Sequence, residues 1–181
     1  IGVGLVGSEM CIRDRIYSTG YKTDYCVAIM LKKTLQQLGT MRILVTGSEG
    51  FLGKVLCRQL RNNSHEVIGY DIANGSDILD SVQLRTAMAD CDVCIHLAAI
   101  ADLYIAEHQP ELARNLNINA TKSLLEIAEE LGIRVLFAST VCAYGNNAVA
   151  VCVEESPLAP TEVYAESKAE AEQFFYDKLD K

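Results

Sequence analysis

Along this chain short apolar runs alternate with amphipathic stretches. Arg42 to Thr46 is a compact apolar run that stops at a glycine turn and predicts strand one. Phe51 to Arg61 follows with Leu52, Val55, Leu56 and Leu60 at helical spacing, predicting helix one. Glu66 to Asp71 predicts strand two, and Ser81 to Ala89 a short helix with Ser81 as its N-cap. Val93 to Ala98 is nearly continuous in apolar residues, the pattern of a strand covered on both faces. Pro110 to Leu131 sets Leu112, Leu116, Ala120, Leu124, Ala128 and Leu131 on one helical stripe, with Gly132 as its stop. Arg134 to Ser139 predicts strand four. A loop with Gly145, Pro157 and Pro160 leads to a last helix, Thr161 to Leu179.

Such alternation predicts an α/β fold: a Rossmann-type, doubly wound parallel sheet with helices on both faces. The expected strand order is 3-2-1-4, with the topological switch point beside the first glycine turn. Residues 41–181 are one domain on this pattern, and residues 1–40 read differently. Gly2-Val3-Gly4-Leu5-Val6-Gly7 matches GxGxxG in form, but no adequate strand precedes it and no helix pattern or ribose acid follows, so it is a decoy. Val6 to Arg15 resembles a translation of the transposase end sequence used in building sequencing libraries. That implies a non-native or disordered extension before Met41, although Tyr25 to Leu38 has the pattern of a helix.

Composition narrows the class. Half of the residues are apolar and 22% are charged, enough to bury a core, and no apolar stretch reaches the length of a membrane span. The start lacks a basic leader and a cleavage site, so secretion is not expected. A formal net charge of −8 argues against general nucleic-acid affinity, which needs clustered Lys and Arg. Seven cysteines scattered through apolar segments fit free thiols in a reducing, cytoplasmic setting. Cys91 and Cys94 have CxxC spacing, but Cys94 falls inside a strand and no second pair follows, so no metal site is expected.

Two signatures carry the chemistry. Thr46-Gly47-Ser48-Glu49-Gly50-Phe51-Leu52-Gly53 joins strand one to helix one. Glycines there let backbone approach a dinucleotide pyrophosphate, and the helix start offers it free N–H groups. At the other end of the domain, Tyr164-Ala165-Glu166-Ser167-Lys168 puts a phenol and an ammonium one helical turn apart. Together they resemble the extended short-chain dehydrogenase/reductase family, the NAD-dependent epimerase/dehydratase group acting on nucleotide sugars. The glycine spacing is that family's TGxxGxxG, and the likeness runs from Met41 to Lys181.

Strand-end Asp71, about 20 residues past the glycines, can accept both hydroxyls of an adenosine ribose and would repel a 2′-phosphate, favouring NAD over NADP. Further matches are implied by the resemblance. Asp77-Ile78 corresponds to an acid–aliphatic pair at the adenine, with Ser76 in place of the usual Gly. His96-Leu97-Ala98-Ala99 corresponds to H-x-A-A, whose small residues admit the cofactor; His96 itself reads as structural. Asn117 opens the N-V-x-G-T stretch near the cofactor, with Ala120 replacing Gly. Ser139 to Gly145 corresponds to S-[ST]-x-x-V-Y-G, placing the sugar-orienting hydroxyl on Thr140, with Ala143 in place of Val.

The implied mechanism is hydride transfer between a sugar carbon and nicotinamide. Tyr164 is the base, Thr140 orients the reacting oxygen, and Lys168 favours phenolate and holds the nicotinamide ribose. The acid pair that dehydratases carry after Thr140 is replaced by Val141 and Cys142, which tilts the choice toward epimerase or reductase. The family continues past this chain's end with a substrate-binding region, so the fragment as given is expected to bind cofactor weakly, and the full-length form to be a homodimer. Two alternatives stay open: an NADP-dependent reductase of another carbonyl, and a non-catalytic NAD(P)-binding sensor or scaffold.

Overall fold

The computed structural model describes residues 39–145 and 156–179. The expectations for residues 1–38, the decoy glycines and the 25–38 helix among them, lie outside the described residues. A parallel sheet is built from β1 (Arg42–Thr46), β2 (Glu66–Tyr70), β3 (Val93–His96) and β4 (Arg134–Phe137). Alternation along β1 sends Ile43 and Val45 to one face and Leu44 to the other, all fully buried. The first face is covered by α1 (Phe51–Asn62) through Cys57 and Leu60. The second is covered by α2 (Ser81–Met88), α5 (Ala120–Leu131) and α6 (Val163–Leu179), through Leu84, Met88, Leu124 and Phe175. The doubly wound Rossmann-type sheet is therefore present. Among the described residues no helix is long and apolar enough to cross a membrane.

Several expectations need correction. The strand order is 2-1-3-4, not 3-2-1-4. Beyond β2 the chain spends residues 71–80 on a 3₁₀ turn (Ile72–Asn74) and aspartate-capped bends instead of a strand, and α2 then carries it across β1. Crossing back over β1 still leaves the switch point between β1 and β3, beside the glycine turn. Asp80, not Ser81, caps α2; its Oδ1 accepts from Val82 N at 3.1 Å and Gln83 N at 3.0 Å. On α1 the buried positions are Gly53, Cys57 and Leu60, while Leu52 and Val55 are exposed.

The long helix is also interrupted. After the short α3 (Leu103–His108), which carries no periodic signal of its own, come α4 (Pro110–Arg114), a π-helical turn (Asn115–Asn119) and α5. Five residues in one turn advance the stripe by a position, so Leu112 is exposed and Ala113 buried. Gly132 ends α5 in the left-handed region, φ +69°, as its place in the sequence predicts.

His96 ties β1, β3 and the π turn together. Thr121 Oγ1 donates to Asn117 O at 2.8 Å, so it must accept from His96 Nε2 at 2.9 Å. Thr46 Oγ1 accepts from Leu97 N and Ala98 N, each at 3.2 Å, and gives its proton to His96 Nδ1 at 2.7 Å. Protonated His96 would find no lone pair at Thr46. Burial first, and Lys168 second, hold the imidazole down at about 3. With the folded value below the unfolded 6.5, only the unfolded chain binds this proton between those values. Stability is therefore present above pH 6.5 and lost as pH falls toward 3. In urea titrations between pH 5.5 and 4.5, His96→Gln should remove about 1.3 kcal/mol per pH unit from the slope of unfolding free energy. An unchanged slope would refute the assignment.

Candidate functional site

A cleft of about 610 Å³ opens at the carboxyl ends of β1 and β3. Its floor is the glycine turn. Gly47 has φ +69°, and a Cβ there would lie 2.8 Å from Ala98 N; a Cβ on Gly53 would collide with the Gly47 carbonyl oxygen. Loop, helix start and the Leu97–Ala98–Ala99 segment thus pack backbone against backbone, which side chains would prevent. Gly50 is the N-cap of α1 and provides no side-chain cap, so the first amides of the helix face the cleft without a side-chain acceptor. Gly47, Gly50, Phe51, Leu52, Gly53, Leu97, Ala98 and Ala99 all line this end. Phe51 is 90% exposed and Ile72, across the rim, 72%: an apolar lip that a flat ring would cover.

The acidic wall comes from the end of β2. Asp71 Oδ2 accepts from Glu49 N at 2.9 Å and Oδ1 from Ala73 N at 2.9 Å, so the carboxylate is braced against both the glycine loop and the 3₁₀ turn. Each oxygen keeps a further lone pair for a ligand hydroxyl. Asp77, whose Oδ1 accepts from Leu79 N at 2.9 Å, and buried Ile78 complete this side.

The opposite end is formed by Ala138, Ser139, Tyr164 and Lys168. Thr140 is outside the cleft wall but near enough to the Tyr164 phenol to act on it, and its Oγ1 accepts from Cys142 N at 3.2 Å as the cap of a 3₁₀ turn, Val141–Tyr144. Thr140, Tyr164 and Lys168 are therefore brought together. Asn117 is not on the wall. It is buried, accepts from Ile100 N at 2.8 Å, and donates to Ile100 O at 3.2 Å and Ser167 Oγ at 2.9 Å. Both amide protons are spent, and the side chain joins the π turn to the loop after β3 and to α6.

The electrostatics differ from what the YxxxK spacing predicts. Desolvation raises the Tyr164 phenol above its ordinary value, against the nearby Thr140 hydroxyl, which lowers it. Lys168 is 3% exposed, and burial pulls its ammonium down to about 7, partly offset by Glu172. Its Nζ lies 3.9 Å from the centre of the Phe137 ring, itself stacked on Phe175. Ser139 and the buried Glu172 were missed as site residues in the sequence pattern; a stripe at positions 164, 168 and 172 is the signal that could have found Glu172. Cys94 is a buried strand thiol that burial pushes up, and burial likewise raises Cys91.

Residues 43–177 match the model of the NAD dependent epimerase/dehydratase family. A D-erythronate dehydrogenase from Cupriavidus necator is 32% identical over 163 residues, covering 76% of this chain and 50% of the relative. The UDP-glucose 4-epimerase of Bacillus subtilis is 26% identical over 161 residues, with 76% and 48% covered. Among solved structures, a UDP-glucose 4-epimerase from Thermotoga maritima superposes with TM-score 0.72 at 26% identity, over 78% of this chain and 52% of that one. The UDP-Glc/GlcNAc 4-epimerase of Campylobacter jejuni gives 0.71 at 26% identity, over 76% and 49%. The chain spans about half the length of these relatives.

Proposed function

Because this chain belongs to the NAD-dependent epimerase/dehydratase family, we propose that it is the nucleotide-binding part of an oxidoreductase that acts on a nucleotide sugar with bound NAD. The observation that carries the reading is one cleft with the glycine cradle and Asp71 at one end and Tyr164 and Lys168 at the other. Bound NAD would supply a hydride acceptor. The cradle of Gly47, Gly50 and Gly53 fits its pyrophosphate, the apolar lip its adenine, and Asp71, with Asp77 and Ile78 beyond it, the adenosine end. Leu97, Ala98 and Ala99 leave room along the middle, and Asn117 holds that segment in place through Ile100.

In this reading Tyr164 Oη takes the hydroxyl proton of the substrate while the Thr140 hydroxyl steadies the oxygen. Lys168 holds the nicotinamide ribose. Burial keeps the phenol protonated in the free cleft, so its ionisation is coupled to the arrival of positive charge beside it. Epimerase chemistry suits the structural relatives, with Val141 and Cys142 standing where dehydratases carry acids. A homodimer through the long helix and α6, and a cytoplasmic location suited to free Cys57, Cys91 and Cys94, belong to the same proposal. The D-erythronate dehydrogenase relative favours a second reading, net dehydrogenation of a hydroxy acid. Only that reaction accumulates reduced cofactor.

Cofactor choice tests the adenosine end. Calorimetric titration should give NAD at least about tenfold tighter than NADP, since a phosphate beside Asp71 and Asp77 is repelled. Asp71→Ala should close most of that gap. Equal affinities in the unsubstituted chain, or an unchanged ratio in the variant, would remove the ribose assignment.

A further inference from the structure

Glu172 is wholly buried, 0% exposed, one helical turn past Lys168 and two past Tyr164. Spacing at i, i+4 and i+8 puts phenol, amine and carboxylate on one face of α6. Ser139 Oγ, on the cleft wall, donates to Glu172 Oε2 at 3.0 Å. A carboxyl group sealed in a core costs several kcal/mol unless it is hydrogen-bonded and matched by charge. On the other side of Lys168 lies the face of Phe137, backed by Phe175.

We propose that Glu172 is a positioning residue: its buried carboxylate keeps Lys168 protonated in an apolar pocket and, through Ser139, is anchored to the cleft wall. The inference rests on the reading in which Lys168 works with Tyr164. A neutral amine would offer the cofactor ribose fewer donors and would give a phenolate no opposing charge. Burial alone drives the lysine toward neutrality, and Glu172 is what pulls the other way. Among the described residues, the other titratable groups about Lys168 are Tyr164 on its own helix, the neutral His96 on β3, and Cys142 on the 3₁₀ turn near the phenol. From α3, Glu107 Oε1 accepts from Val163 N at 3.1 Å at the start of α6; from α4, Arg114 pairs with Glu170 at 3.1 Å, both half exposed. Those charges are engaged at the surface of α6, which leaves Glu172 as the anion on the buried stripe.

The experiment is ¹³C NMR of the whole chain labelled at lysine Cε and glutamate Cδ. Lys168→Met assigns one signal, and Glu172→Asp or Glu172→Gln the other. The Lys168 signal should titrate near pH 7, with a step in the Glu172 signal at the same midpoint. Glu172→Gln should move the Lys168 midpoint down by about one pH unit or more, roughly tenfold in proton affinity, whereas Glu172→Asp, which keeps the charge, should move it less than half as far. An unmoved midpoint in Glu172→Gln overturns the proposal. So does a Glu172 signal in the unsubstituted chain that ignores the Lys168 titration, an outcome that requires no variant to fold for its readout beyond assignment by Glu172→Asp. Neither result depends on turnover, so failure of the catalytic reading would be seen separately.

Discussion

Tyr164→Phe should lower hydride transfer by about 10²–10⁴-fold, the range over which a positioned acid or base acts. The substitution keeps the ring and its packing and deletes one oxygen. The neighbouring Thr140 would keep its own bond, Oγ1 accepting from Cys142 N. The phenol lines an open cleft, so losing its hydroxyl should cost the fold about 1 kcal/mol or less. NAD affinity should change by only a few fold, because glycine cradle, Asp71 and Lys168 are untouched. The measurement is reduced-nicotinamide absorbance in a single turnover of an active preparation, beside calorimetric binding.

The pH dependence gives the same prediction a second readout. A base works deprotonated, and burial raises this phenol, so the rate in the unsubstituted protein should climb with pH through the neutral and alkaline range. In Tyr164→Phe that climb should flatten. A variant within tenfold of the parent rate, with the climb intact, would take the proton-transfer role away from Tyr164.

The strands were legible because each is a short apolar run with a period of two or buried on both faces, and β1 occupies the five residues its pattern marks. Glycine spacing marked the tight turn between β1 and α1, since only a close backbone approach requires that residue type at three fixed steps. What escaped has a physical reason in each case. The sheet order depends on a strand that does not form after β2, where Asp71, Asp77 and Asp80 bind backbone N–H groups and turn the chain. Periodicity is blind to a π turn, which adds a single residue. Six residues of α3, capped by Asp102, are too few to show a stripe. Glu172 was hidden among the acids of a polar helix; only packing of α6 on β4 distinguishes it from exposed Glu166 and Glu170.

Gly53→Ala is expected to damage both stability and cofactor binding, and the two losses have one origin. A Cβ at position 53 meets the Gly47 carbonyl oxygen, and also lies 2.8 Å from Ser48 Cα. Neither is a flexible side-chain tip that can swing away. Gly47 is fixed in turn, its N–H donating to Tyr70 O at 2.9 Å and its carbonyl accepting from Gly50 N at 3.1 Å. The strain can relax only if α1 slides off the turn, which pulls Cys57 and Leu60 out of register with Ile43 and Val45. Overpacking of this kind costs about 1–3 kcal/mol, and at roughly 2–4 °C per kcal/mol the midpoint of thermal unfolding should fall by several degrees. Sliding α1 also moves its first amides away from the pyrophosphate, so NAD affinity should drop about 100-fold, near 3 kcal/mol. Gly132→Ala separates the effects. Its left-handed φ of +69° should cost about 1–2 kcal/mol, but a Cβ there meets nothing within 4 Å and the residue is absent from the cleft wall. That variant should melt early and bind NAD as tightly as the parent. If Gly53→Ala did the same, the turn would be a packing device and the cofactor would have to lie elsewhere.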